Sequence, residues 1–293
     1  MIRRFHHAEF PVDRLVAARG GTGVSVVIPA RNEAETVEGI VTCVLTDPAS
    51  APLVDEVIVV DDGSTDATAE RAARAGARVV GAGSLLGDEG WGPGKGKAMW
   101  EGLYAAAGEI IVYLDADVTS LGGHFVSGLL GPLLLDADVA MVKAFYERPL
   151  DGRPGQGGRV TELTARPLLS VLFPQLADIA QPLSGECAAR RDILERVPFT
   201  HGYGVDLGLL VDVAALVGTG ALAQVDLGTR IHRNRPLSEL SAQATAVLCA
   251  ALDRAGLHSS EHAVLERPTG ESVVLRTGTH PPMAELRAGR RIA

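Results

Sequence analysis

Cysteine is scarce in the 293-residue chain, and the three that occur are scattered and odd in number. Cys43, Cys187 and Cys249 therefore imply neither a disulfide framework nor a zinc cluster. Aromatic residues make up only 4% of the chain, whereas hydrophobic residues make up 46% and glycine occurs 34 times. This composition is typical of a tightly packed α/β protein with a sizeable core.

Long apolar runs are also missing. No segment approaches the roughly 18 uninterrupted apolar residues that predict a membrane-spanning helix, and Asp212 interrupts one of the most apolar regions. The first ten residues, MIRRFHHAEF, have no apolar run after their basic residues and do not predict a secretory signal. We therefore expect a soluble, cytoplasmic protein with no membrane partner.

Positive charge is in deficit, because 27 Lys and Arg face 36 Asp and Glu and the net charge is −9. Such a chain has no general attraction for nucleic acid or for an anionic membrane surface. A protein of this charge that handles phosphates must place its few cations, or a metal ion, at chosen positions.

The first half of the chain alternates between short apolar segments and segments with helical spacing. The predicted strands cover 24–30, 55–60, 77–83 and 109–117, and the predicted helices cover 35–45, 65–76 and 95–108. This order predicts an α/β fold, with a Rossmann-like, mainly parallel sheet flanked by helices. Ligands of such sheets bind beyond the carboxyl ends of the strands, which here means residues 29–33, 61–64 and 115–117.

The strongest single motif is Asp115-Ala116-Asp117, which directly follows the apolar segment EIIVYL. Two carboxylates at a strand end supply the hard oxygen ligands that Mg²⁺ and Mn²⁺ prefer. An acidic turn before the next helix is the alternative interpretation of the same residues.

Polar residues follow the other strands too. A carboxylate of Asp61 or Asp62 can accept a hydrogen bond from a nucleobase, while Asn32 and Glu33 can also simply cap a helix. Lys95 lies in a glycine-rich segment before a helix, where it favours anions unless it is an ordinary surface lysine.

Four segments in this order, VVIPARNE, VVDDGSTD, GKGKAMWEGL and YLDAD, resemble the nucleotide-binding half of GT-A-fold glycosyltransferases over about residues 24–118. The resemblance implies that Asp62 binds uracil, Asp115 binds ribose and Asp117 holds the metal ion, Mg²⁺ or Mn²⁺. The full set of donor-binding residues it implies is Pro29, Ala30, Arg31, Asn32, Glu33, Asp62, Lys95, Asp115, Ala116, Asp117, Leu183 and Arg230.

The second half is similar to the glucosyl-3-phosphoglycerate synthase family, through GGRVTELTARPLL, PLSGECAARR, HGYGVDLGLLVD and VDLGTRIHRNRPL. That family transfers glucose from UDP-glucose to the 2-hydroxyl of 3-phosphoglycerate with retention at the anomeric carbon. Its product is a precursor of glucosylglycerate and of methylglucose polysaccharide.

This resemblance also implies the remaining site residues. His232 completes the metal site with Asp117, and Arg230 lies beside it with Arg233 and Arg235, a group that the residues alone also allow as a basic surface turn. The implied acceptor contacts are Gly158, Arg159, Thr161, Tyr203 and Asn234.

The implied catalytic residues are Asp117, Leu183 and Asp206. A retaining transfer needs either a carboxylate nucleophile or front-face attack guided by the leaving diphosphate. The family more often has Glu where this chain has Asp206, so we interpret Asp206 as a sugar-positioning residue.

We expect one compact unit made of a nucleotide-sugar-binding half, 1–146, and an acceptor-binding half with a C-terminal helical extension, 147–293. The family resemblance and the apolar late helices favour a homodimer. Three other functions stay open: a mannosyl-3-phosphoglycerate synthase that uses GDP-mannose, an inverting polysaccharide- or lipid-directed transferase, and an inactive nucleotide-sugar-binding regulator.

Overall fold

A computed structural model of the chain describes residues 2–87, 92–149, 158–231, 237–258 and 260–290. Its strands are β1 (Arg3–His6), β2 (Val24–Ala30), β3 (Glu56–Asp61), β4 (Arg78–Gly81), β5 (Ile110–Tyr113), β6 (Met141–Glu147), β7 (Cys187–Arg190), β8 (Phe199–Thr200), β9 (Leu222–Thr229), β10 (His262–Glu266), β11 (Ser272–Arg276) and β12 (Thr279–His280). Its α-helices are α1 (Val12–Arg19), α2 (Val37–Thr46), α3 (Thr68–Arg74), α4 (Lys95–Ala105), α5 (His124–Leu135), α6 (Arg166–Leu172), α7 (Arg191–Leu194), α8 (Val205–Val217), α9 (Leu237–Arg254) and α10 (Met283–Arg290).

Eight strands form one central sheet in the order β1-β9-β6-β7-β5-β2-β3-β4. Seven of them run in the same direction, and β7 runs against both of its neighbours, β5 and β6. The mainly parallel α/β fold predicted above is therefore confirmed. Strands from both sides of the predicted boundary at 146/147 share this sheet, and the division into two functional halves stays a prediction.

The core lies on both faces of the sheet because successive strand residues point to opposite faces. In β2, Val27 packs with Met99 and Leu103 of α4 on one face. The neighbouring Val26 and Ile28 pack on the other face, in the same cluster as buried side chains of α2 and α5. Covering both faces explains why the strands are apolar almost throughout.

Two elements differ from the expectations. The polar N-terminal segment forms β1, which pairs in parallel with β9 at the edge of the sheet. The segment after Leu257 is not wholly helical, because β10 and β11 form a hairpin and β12 pairs with β8. These segments carry little apolar patterning, so their structure depends on pairing with distant strands.

Within the described ranges, no helix is both long enough and apolar enough to cross a membrane.

The packing of α4 on the sheet predicts the effect of replacing Gly102 with alanine. A Cβ at this position would lie 2.3 Å from Val27 Cγ1 and 3.3 Å from Val60 Cγ2. We expect Gly102→Ala to lower the free energy of unfolding by about 1–2 kcal/mol in urea titrations, because overpacking outweighs the gain in helix propensity.

Gly39→Ala is the matched control, since Gly39 lies in α2 and a Cβ there meets nothing within 4 Å. This variant should raise the free energy of unfolding by about 0.5–1 kcal/mol. Equal stabilisation by both substitutions would contradict the packing argument.

Candidate active site

A cavity of about 570 Å³ opens at the carboxyl ends of β2, β3 and β5. The start of α4, the end of β9 and residues of α9 and β11 complete its walls. It brings together most of the predicted site residues, namely Pro29, Ala30, Arg31, Glu33, Asp62, Lys95, Asp115, Ala116, Asp117, Gly158, Arg159, Thr161, Leu183, Tyr203, Asp206 and Arg230. His232 and Asn234 lie outside the described residues, as do Arg233 and Arg235.

Asp62 lies at one end of the cavity, just beyond β3, with only 6% of its surface exposed. The backbone N–H of Gly94 donates to its carboxylate, and its Oδ1 has no hydrogen-bond partner among the described residues. Burial raises the pKa of Asp62 to about 6, against the opposing effects of the Gly94 hydrogen bond, Arg31 and Lys97. A buried acceptor without a partner is suited to an N–H group of a ligand.

Asn32 is not among the residues that line the cavity. Its backbone has a φ of 55°, which asparagine tolerates better than most residues. Its side-chain oxygen accepts from Thr65 N at 2.8 Å, and its own N–H donates to Ser64 Oγ at 2.9 Å. These bonds join the β2–α2 and β3–α3 loops, so the structure places Asn32 as a support of the site, and its predicted donor contact stays untested.

The half-buried Lys95 and the buried Arg230 hold the carboxylates at the centre of the cavity. Lys95 Nζ lies 2.9 Å from Asp115 Oδ1 and 2.9 Å from Asp206 Oδ2. Arg230 Nη2 lies 2.9 Å from Asp115 Oδ2 and 2.9 Å from Asp117 Oδ1. The interpretation of Lys95 as an ordinary surface lysine is therefore wrong, because this side chain is an interior partner of two carboxylates.

The pKa values of these three carboxylates are not shifted in the same direction. Burial alone raises the pKa of Asp115, but Lys95 and Arg230 outweigh that effect and hold it well below its usual range. Burial raises the pKa of Asp117, and the neighbouring Asp115 carboxylate adds to the effect. Burial also raises the pKa of Asp206, with Lys95 opposing it.

The donor set suits a divalent cation. Asp115 and Asp117 each accept a hydrogen bond from the same nitrogen of Arg230, so two side chains with the hard oxygen ligands that Mg²⁺ prefers lie close together. Within the described ranges, no group of three or more His, Cys, Asp and Glu side chains is arranged to hold a metal ion. Two carboxylates would leave other positions to ligand oxygens and to residues outside those ranges, where His232 lies.

A group of side chains that no sequence motif links holds Arg230 in place. Arg230 Nε donates to Glu186 Oε1 at 2.9 Å, and Glu186 is fully buried. The Tyr146 hydroxyl donates to the other Glu186 oxygen, and Arg148 Nη2 donates to Tyr146 at 2.8 Å. In the sequence, Tyr146 ends the mostly apolar segment MVKAFY of β6, which indicates a buried strand position but not its partners.

The predicted acceptor contacts lie on the opposite wall. Gly158 has a φ of +76°, the chain becomes helical at Arg159, and residues 158–161 line the cavity, so a helix start, whose first backbone N–H groups have no acceptor within the helix, borders it. Thr161 is buried, whereas Tyr203 is exposed. Arg148, His201 and Arg276 also line the cavity. His201 is the first residue of the segment HGYGVDLGLLVD, for which no role of this histidine was predicted, and the other two belong to none of the quoted segments.

Gly185 allows the segment before β7 to pass close to Asp115. A Cβ on this residue would lie 2.1 Å from Asp115 Oδ1, so only glycine lets the segment beside Leu183 pass the carboxylate.

The fold, the carboxylate pair at the end of β5 and the cavity beside it define a GT-A-type glycosyltransferase. The family model described as "Glycosyl transferase family 2" matches residues 25–197. The chain is 44% identical over 302 residues to glucosyl-3-phosphoglycerate synthase of Mycolicibacterium paratuberculosis, which covers 97% of this chain and 91% of that protein.

Solved structures agree with this relationship. The crystal structure of glucosyl-3-phosphoglycerate synthase from Mycobacterium tuberculosis with Mn²⁺, UDP-glucose and phosphoglyceric acid matches with a TM-score of 0.89 at 42% identity, covering 98% of this chain and 99% of that one. The same enzyme with Mg²⁺ and UDP matches with a TM-score of 0.87 at 42% identity, over the same shares of the two chains. The chain belongs to the glucosyl-3-phosphoglycerate synthases of glycosyl transferase family 2.

The burial of Asp62 predicts a pH dependence of stability. Because its pKa is raised in the folded protein, the unfolded chain binds fewer protons between pH 4 and pH 6, and this contribution to stability falls as pH rises through that window. Asp62→Asn should therefore be more stable than the parent at pH 7.5, by at most about 3 kcal/mol, and lose most of that advantage near pH 4.

Urea unfolding of parent and variant at both pH values measures this difference. Asp66→Asn serves as a control of opposite sign, because the hydrogen bond from Thr68 holds the pKa of the exposed Asp66 below its usual range. If the difference in free energy of unfolding between the parent and Asp62→Asn did not change with pH, the pKa of Asp62 would not be raised in the folded protein.

Proposed function

We propose that this enzyme, a retaining glucosyltransferase, transfers glucose from UDP-glucose to the 2-hydroxyl of 3-phosphoglycerate and releases UDP. The observation that carries the proposal is a single cavity that joins a buried acceptor at Asp62, the carboxylates of Asp115 and Asp117, and a helix start bearing Arg159. The family membership supports the same pair of substrates.

The donor lies, in this proposal, along the carboxyl ends of β2, β3 and β5. Asp62 Oδ1 accepts a hydrogen bond from the uracil N–H, since that oxygen has no other partner among the described residues. Asp115 binds a ribose hydroxyl. Pro29, Ala30, Arg31 and Glu33 line the same end of the cavity and border the uridine.

Asp117 holds the divalent cation, with His232 as its predicted second protein ligand. Bound Mg²⁺ or Mn²⁺ neutralises the charge that develops on the leaving diphosphate. Arg230 adds a fixed positive charge beside it, because Glu186 and Tyr146 leave its guanidinium little freedom.

The acceptor binds at the helix start near residue 158. Its phosphate and carboxylate are anions, and the N–H groups of a helix start together with an arginine are the partners that such groups prefer. Arg159 and Thr161 line the cavity there. Tyr203 borders the same space, and Asn234 is a predicted contact from outside the described residues.

Asp206 is better suited to positioning than to nucleophilic attack. Lys95 Nζ lies 3.2 Å from one of its oxygens and 2.9 Å from the other, so both oxygens are hydrogen-bonded to an ammonium group, which makes them weaker nucleophiles. We infer front-face attack: the bond from the anomeric carbon to the diphosphate breaks, and the acceptor oxygen bonds to the same face. The proton of its hydroxyl passes to the diphosphate. Leu183 borders the sugar on the side opposite Asp62.

We also propose where the enzyme works and what its product is used for. The three cysteines are free thiols in the structure, as expected of a protein that works in a reducing cytoplasm. Its product, a glucosylated phosphoglycerate, then enters the synthesis of glucosylglycerate and of methylglucose lipopolysaccharide.

An assay of UDP release tests the function. With Mg²⁺, UDP-glucose and 3-phosphoglycerate, the enzyme should release UDP and form an α-linked product, identified by NMR of the anomeric proton. 2-Phosphoglycerate should give no product, because its phosphate occupies the oxygen that attacks. Asp117→Ala should abolish turnover, whereas Asp138→Ala, an exposed carboxylate far from the cavity lining, should leave it unchanged.

Two results would overturn the assignment. Turnover with GDP-mannose and none with UDP-glucose would make the chain a mannosyl transferase. Binding of UDP without turnover of any donor and acceptor pair would favour a regulator that has lost catalysis.

We also propose a homodimer, formed through an apolar face on the second half of the chain. Leu163, Val171 and Leu257 are each more than 60% exposed, and the paired Val264 and Val274 expose the same face of the hairpin. The helix α9 contacts α6, the helical turn at 161–165 that carries Leu163, and both strands of the hairpin, so these side chains surround one helix. A second copy would cover this surface.

Light scattering of the purified protein should give twice the chain mass. Val171→Asp should give the single mass with unchanged secondary structure by circular dichroism, because a carboxylate at a dimer interface loses its water. Val16→Asp, at an exposed apolar position of α1, is the control and should stay dimeric. A monomeric parent would exclude the dimer.

A further inference from the structure

The C-terminal segment is bonded to the elements that surround the start of α4. β12 pairs with β8 in antiparallel register, His280 opposite Phe199. His201 N donates to Gly278 O at 2.9 Å, and Trp100 Nε1 in α4 donates to Pro281 O at 2.9 Å. The segment is therefore part of the folded core beside the cavity, although its sequence carries no motif that predicts this.

Two histidines link this segment to the turn that precedes α4. His280 is buried, and its ring stacks on Trp100 with centroids 4.8 Å apart and an interplanar angle of 19°. Its Nε2 lies 3.4 Å from His201 Nδ1, and His201 Nε2 lies 3.2 Å from Pro93 O. Contacts thus run without a gap from β12 to the backbone of the turn.

The direction of these bonds follows from the chemistry of the last acceptor. A carbonyl oxygen only accepts, so His201 Nε2 donates to Pro93 O, and a neutral His201 ring then has Nδ1 as an acceptor. His280 Nε2 is its donor. Burial, with His201 and Lys97 nearby, lowers the pKa of His280 to about 3, so this imidazole is neutral at physiological pH.

The turn itself holds two groups of the donor site. Gly94 follows Pro93 and donates its N–H to the Asp62 carboxylate. Lys95 is the next residue, the first of α4, and it holds Asp115 and Asp206. A Cβ on Gly94 would lie 2.6 Å from His201 Nε2, so the imidazole packs directly on the turn.

We propose that His280 is a positioning residue of the nucleotide site, which acts through His201 to fix Pro93 and Gly94 and thereby the Asp62 carboxylate. The inference rests on the proposed function, in which Asp62 binds uracil. Without the His280 donor, the His201 ring loses one of the contacts that hold it against Pro93 O, and the Gly94 N–H is then held less firmly toward Asp62. His280 itself does not line the cavity.

The test is direct binding of UDP, with Mg²⁺ present, by isothermal titration calorimetry. His280→Phe keeps a ring on Trp100 and removes the donor nitrogen. We expect it to weaken UDP binding by about 5- to 10-fold, the equivalent of one net hydrogen bond, and to raise the KM for UDP-glucose while the KM for 3-phosphoglycerate stays constant. His280→Gln keeps a donor at a similar reach and should restore most of the affinity.

Met283→Ala is the matched control, because Met283 is fully buried in the same C-terminal segment and does not line the cavity. It should lower the melting temperature and leave the affinity for UDP unchanged at a temperature where the variant is folded. If His280→Phe bound UDP with the affinity of the parent, the inference about His280 would be wrong and the proposed function would be unaffected. Equal loss of UDP affinity in Met283→Ala would overturn it too, by showing a general effect of stability. A parent that binds no UDP would overturn the proposed function together with this inference.

Discussion

The arrangement of the site depends on one buried guanidinium. Arg230 follows β9 and bonds to Glu186 beside β7 and to Asp115 and Asp117 beyond β5. It therefore joins three strands of the sheet at a point where three carboxylates would otherwise repel one another in a low-dielectric setting. Because Arg230 is almost entirely buried, the positions of these carboxylates are set before any ligand arrives, which lowers the cost of ordering them on binding.

The same interaction resolves the apparent conflict between an acidic chain and anionic substrates. The net charge of −9 describes the whole surface, whereas Lys95, Arg148, Arg159 and Arg230 all line one cavity. At physiological ionic strength, charges on the far surface are largely screened over distances beyond about 8 Å. A small phosphorylated metabolite in the cavity therefore meets local cations, while an extended polyanion would meet the acidic exterior.

Much of the donor side was predictable because its residues follow regular elements. The apolar segments that end at Ala30, Val60 and Leu114 predicted the strands, and parallel strands carry the residues after them to one edge. The contacts of the C-terminal segment and of the side chains that hold Arg230 were not predictable, because they join segments that lie far apart in the chain. Glu186 and Tyr146 meet through pairing of β6 with β7, and His280 reaches its partners through β8. Such contacts between segments far apart in the chain leave no periodic signal in a single sequence.

The reversed strand β7 has a wider consequence. Since it runs against β5 and β6, the chain enters it at the edge where those strands end, and the segment that holds Leu183 and Glu186 arrives there as a lead-in. At this edge of the sheet, therefore, β5 and β6 end and β7 begins. That geometry lets two stretches of chain separated by some 70 residues, around Asp115 and Leu183, line the same cavity side by side. Evolution can then remodel the part of the cavity beside Leu183 by changing the segment before β7, leaving the nucleotide side and the sheet intact.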